Sequence, residues 1–116
     1  MSGQLSGKLS DMQCVARTTA LDEAAIAGLL AQVPGWVVED GLLGKSFAFH
    51  NYYQTLAFVN ALAFLTHAQD HHPELIITYN TCTVRYSTHS VGALSENDFI
   101  CAAKADALYL SAAGRA

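Results

Sequence analysis

Positive charge is scarce in this chain: lysine and arginine together number six among 116 residues. Ten acidic side chains leave a net charge of −4. No basic stripe exists to neutralise phosphates, which argues against direct nucleic-acid binding. Long apolar runs are also missing, and none approaches the roughly 20 residues of a membrane span. The polar stretch from Met1 to Ser10 lacks the apolar centre of a secretory signal. Cys14, Cys82 and Cys101 are odd in number and form no close pair, which predicts reduced thiols in a cytoplasmic protein. No phosphate-loop pattern surrounds Gly92, which reads as a turn glycine, and no Ser-His-Asp or Cys-His arrangement is readable from spacing. What the chain does have is apolar residues, 52% against 14% charged, enough for a full core and for surface buried between subunits.

Residues 1–17 carry no periodicity and read as an N-terminal tail or loosely held arm, with 18–116 as one domain. Apolar positions 26, 29, 30 and 33 mark a first helix, with Asp22 and Glu23 at its start and Pro34-Gly35 ending it. Trp36–Glu39 and Leu42–Phe49 read as strands joined by a tight Asp40-Gly41 turn, Phe47 and Phe49 sharing one face. Asn51 is placed to cap a helix running to about Gln69, with an apolar stripe at 52, 56, 59, 62 and 63 that widens with Phe58 and Leu65, and with Tyr52 and Tyr53 in the core. A second hairpin follows, Leu75–Tyr79 and Thr81–Thr88, turning at Asn80. Ser90–Leu94 is a loop. Ser95 caps a last helix that buries Phe99, Ile100, Ala103, Ala107 and Leu108 and ends near Gly114. The order α-β-β-α-β-β-α predicts an α+β fold, a four-stranded antiparallel sheet with three helices on one face.

Chemistry concentrates where the second helix gives way to a strand, at His71-His72-Pro73. Histidine exchanges a proton near neutrality, so a doublet held by a proline suits acid–base work. His67 stands four residues before His71, which on a continuing helix puts both on one face. His89 and Asp98 lie at the next turns. A metal set of His67, His71, His89 and Asp98 is weighed and set aside, because no glutamate lies between the histidines and the cysteines have no ligand spacing. The bland alternative is a group of surface or capping histidines.

Together, His71-His72-Pro73, Tyr79, Thr88-His89, Leu94-Ser95-x-x-Asp98, the Phe47-x-Phe49 strand and the Pro34-Gly35-Trp36 step resemble the pterin-4a-carbinolamine dehydratases, from about Leu21 to Leu108. The resemblance implies dehydration of 4a-hydroxytetrahydropterin to quinonoid dihydropterin, recycling the cofactor of aromatic amino-acid hydroxylases. It implies His71, His72 and His89 as catalytic residues, with His71 and His89 as the acid–base pair. It further implies that His72, Pro73, Thr88 and Ser90 hold the pterin, and that Asp98 and His67 support the site from behind, Asp98 by orienting or charging a histidine. No cofactor or metal is needed, since the pterin is the substrate. The family assembles as dimers or tetramers, and its animal members also serve as dimerisation cofactors of a homeodomain transcription factor. A non-catalytic binding role, or service to another pterin pathway such as molybdenum-cofactor metabolism, is therefore the alternative. Two positions depart from the pattern: His67 stands where glutamate is common, and Ala93 where glycine is.

Overall fold

A computed structural model describes residues 8–111 of the chain. After a short 3-10 turn at Leu9–Asp11 come α1 (Glu23–Leu30), β1 (Val37–Glu39), β2 (Leu42–Ala48), α2 (Tyr52–Gln69), β3 (Glu74–Ile77), β4 (Thr81–Tyr86) and α3 (Glu96–Leu110). The strands form one antiparallel sheet in the order β1-β2-β4-β3. This is the α+β order read from the sequence.

Local signals start and stop these elements. Asp22 accepts the Ala25 amide at 2.8 Å and Asn51 the Gln54 amide at 2.9 Å, each satisfying a donor that the helix leaves open. Asp40 and Gly41 both take positive φ, 54° and 77°, the twist that joins two right-twisted strands in a two-residue hairpin. In β2 and β4, Leu43, Phe47, Cys82, Val84 and Tyr86 turn to the helices and are buried. Register sets Leu43 opposite Tyr86 and Phe47 opposite Cys82, so the two central strands present one continuous apolar face. Phe58 and Leu62 of α2, with Phe99 and Ile100 of α3, fill it; each is completely buried. Among the described residues, no helix is long and apolar enough to cross a membrane.

Several sequence expectations are corrected. The buried stripe of α2 is Thr55, Phe58, Leu62 and Thr66, which shares Leu62 and Phe58 with the expected positions and adds the two threonines. Both threonines return their hydroxyls to helix carbonyls, at Asn51 and Ala63, so they enter the core without an unpaired polar group and escape a hydropathy pattern. Tyr52 and Tyr53 are exposed, and Tyr79 lies beyond the end of β3, stacked on Tyr52 rather than in a strand. In α3, Ala107 is exposed while Cys101, Ala102 and Ala105 are buried, and the helix stops at Leu110, short of Gly114.

Residues 8–17, expected as a loosely held arm, run along α3; the first seven residues of the expected tail lie outside the described residues. Leu9 is buried, Lys104 donates to the Ser10 carbonyl at 3.0 Å, and Asn97 grips Val15 in both directions, at 2.7 and 3.2 Å. An extended segment without periodicity is held because side-chain amides from distant helices take up its backbone groups.

Candidate active site

The site begins with how α2 ends. Asp70 adopts the left-handed conformation, φ 53°, and the chain closes on itself: the Asp70 amide donates to His67 O and the His71 amide to Thr66 O, both at 3.2 Å. Aspartate tolerates this conformation better than most residues, and Pro73 cannot continue a helix. The reversal carries His71 inward, where it is buried, and leaves His72 and His67 exposed. His67 and His71 therefore do not share a helix face, contrary to the four-residue spacing, because the helix stops between them.

Asp98 meets His71 from the start of α3. Ser95 and Asp98 form a reciprocal cap, in which Asp98 Oδ2 accepts the Ser95 amide at 2.9 Å. The same oxygen accepts the Thr88 hydroxyl at 2.8 Å, while Oδ1 lies 2.7 Å from His71 Nε2. Since the one proton of Thr88 goes to Asp98, Ser95 Oγ donates to Thr88 Oγ1 across 2.7 Å. Asp98 is completely buried and answers its charge with three donors, as a buried carboxylate must. Burial opposes a charge on His71, but the hydrogen bond and charge of Asp98 outweigh it, and its pKa lies above the ordinary 6.5. Tyr86 lies flat against the imidazole, ring centres 5.8 Å apart at 13°.

Beside this pair opens a pocket of about 500 Å³. His71, His72 and His89 all line it, with Thr88 and Ser90. Pro73 and His67 do not. Positive φ in the following turn falls on Gly92, at 67°, and not on Ala93, so the alanine departure leaves the backbone unstrained. Among the described residues, no group of three or more His, Cys, Asp or Glu side chains is placed to hold a metal ion.

One wall was not foreseen. Cys14, Val15, Ala16 and Arg17 of the arm close the pocket, together with Asn97 and Gln69. Arg17 Nε donates to Asn97 Oδ1 at 2.9 Å, and its other end pairs with Glu96 at 3.4 Å. Gln69 Oε1 accepts the Cys14 amide at 2.8 Å, and Ser90 donates to the Arg17 carbonyl at 3.2 Å. These contacts join residues more than 50 positions apart, and no local pattern in the sequence announces them.

The family model described as Pterin 4 alpha carbinolamine dehydratase matches residues 19–108. A protein of Stenotrophomonas maltophilia (strain R551-3), provisionally named pterin-4-alpha-carbinolamine dehydratase, is 54% identical over 105 residues, covering 86% of this chain and 90% of its own. A solved structure described as a transcriptional coactivator/pterin dehydratase from Brucella melitensis superposes with a TM-score of 0.74 at 29% identity, over 78% of this chain and 98% of that one. A pterin dehydratase-like protein identified as a RuBisCO assembly factor in the alpha-carboxysome gives a TM-score of 0.56 at 31% identity, over 66% and 89%.

Proposed function

The chain belongs to the pterin 4 alpha carbinolamine dehydratase family, and on that premise we propose that its three-histidine pocket dehydrates 4a-hydroxytetrahydropterin by general acid–base catalysis. The observation that carries this reading is the buried His71–Asp98 pair, 2.7 Å apart, at the wall of a pocket that His72 and His89 also line.

The reaction loses water and exchanges no electrons with a second reactant. The C4a–O bond breaks, the lone pair of N5 forms a double bond to C4a, and N5 gives up its proton. An acid must protonate the departing hydroxyl and a base must take the N5 proton. His71 suits the acid: Asp98 raises its pKa and so favours its protonated form, with Nε2–H given to the carboxylate and Nδ1–H as the transferable proton. His89 serves as base from the exposed side of the pocket, and His72 flanks the ring and holds it. Thr88 and Ser95 act through Asp98, fixing the carboxylate that orients the imidazole. Both protons pass through side chains, so this reading needs no resident cofactor. It fits a cytoplasmic homo-oligomer that returns pterin to aromatic amino-acid hydroxylation.

The test is the decay of 4a-hydroxytetrahydropterin absorbance with wild type and with His71→Gln. Wild type accelerates the decay, and the variant loses about 100-fold or more of that rate. A folded wild type that leaves the uncatalysed rate unchanged overturns the enzyme reading and favours a partner-binding role, a reading supported by the similar pterin dehydratase-like protein identified as a RuBisCO assembly factor.

A further inference from the structure

Two thiols that dehydration does not use lie in contact. Cys14 Sγ, in the arm, is 3.4 Å from Cys101 Sγ on α3, across 87 positions of sequence. Cys101 is completely buried, whereas Cys14 is half-buried and lines the pocket. The two differ in access and share one contact, as an attacking and a resolving cysteine must.

We propose that Cys14 and Cys101 form a hydroperoxide-sensitive dithiol whose oxidation ties the arm covalently to α3 beside the pocket. A hydrogen bond from Cys101 holds Cys14 below the ordinary thiol range; burial opposes this, and the charges of His71, Lys104 and Arg17 support it. The same contact, with burial, pushes Cys101 up, so the accessible sulfur is the nucleophile. Its thiolate attacks the peroxide: an S–O bond forms, the O–O bond breaks, and the departing oxygen takes a proton and leaves as water or alcohol. Cys101 then attacks the sulfenic sulfur. An S–S bond forms, the S–O bond breaks, and the hydroxyl leaves as water with the Cys101 proton. The two sulfurs lose two electrons and the peroxide gains them.

Closing from 3.4 Å to a bond of about 2.05 Å requires only a small shift. The arm can supply it, because Cys14 lies in an irregular segment, past the 3-10 turn, anchored through side-chain amides. Cys82 is the internal control. It is completely buried in β4, and burial pushes its thiol up to about 11.

The test treats the reduced full chain with one equivalent of hydrogen peroxide and maps thiols by peptide mass. Wild type should yield a Cys14–Cys101 cross-linked peptide lacking two hydrogens, with Cys82 unmodified. Iodoacetamide labelling of Cys14 should fall about tenfold and return with reductant. Cys101→Ser should accumulate a Cys14 sulfenic acid that a cyclic 1,3-diketone traps. Three results overturn the proposal: folded wild type that keeps its Cys14 labelling, Cys14 passing to sulfinic acid without a cross-link, and a disulfide between two chains. Wild-type labelling alone decides the matter if Cys101→Ser fails to fold, and no readout depends on pterin turnover.

Discussion

Asp98 and Asp106 lie about two turns apart on the same helix, both take strong hydrogen bonds, and they do different work. Asp98 is sealed from solvent and bonds His71, Thr88 and the Ser95 amide. Asp106 is about a quarter exposed and bonds Trp36 Nε1 at 3.0 Å and Lys45 Nζ at 2.8 Å, stapling the first hairpin to α3. The indole N–H and the lysine ammonium both serve there as hydrogen-bond donors. Of these partners only histidine is a residue type suited to proton exchange, and it faces a pocket. Residue type, helix and bond length are alike at the two ends. Chemistry follows from what the partner can exchange and from what lies beyond it.

Substitutions at the two ends break this comparison most directly. Asp98→Asn should lower pterin turnover about 100-fold and, by stripping a buried charge from three donors, cost about 3 kcal/mol of stability in denaturant unfolding. The deficit should depend on pH. The folded pKa of His71 is raised, so its stabilising charge is fully present below the ordinary 6.5 and is lost as pH rises through the folded value. Unfolding at about pH 5.5 should therefore show a larger Asp98→Asn penalty than unfolding at about pH 9.

Asp106→Asn should cost about 1–2 kcal/mol while leaving the pH profile of turnover where it is. A shift of that profile would erase the distinction between the two carboxylates. The smallest effect belongs to Glu74→Gln, which removes an exposed pair with Arg85 at 3.4 Å and should change unfolding by no more than about 0.5 kcal/mol. That variant sets the floor against which the staple and the buried pair are read.

Much of this molecule is legible one residue at a time. Asp22, Asn51 and Ser95 announce their helices, because a capping side chain needs only its own first turn. Asp40-Gly41 announces its hairpin because both residues tolerate positive φ. The histidines His71, His72 and His89, with Asp98, were readable as one constellation, and they do line or support one pocket. Pro73 and His67, to which the family resemblance gives site roles, lie outside its lining.

Sequence alone thus determined the elements, their order and the residue types available for proton transfer, since these rest on interactions within a few residues. Tertiary structure decided which histidine is buried, what charges it and what closes the pocket. Asp70 turns the chain so that His71 goes in and His72 stays out. Asp98 reaches His71 across 27 positions, and Asn97 seats Val15 and Arg17 across 80 or more. Such contacts exist only after the sheet and helices have packed, because their partners belong to separate elements with no shared periodicity.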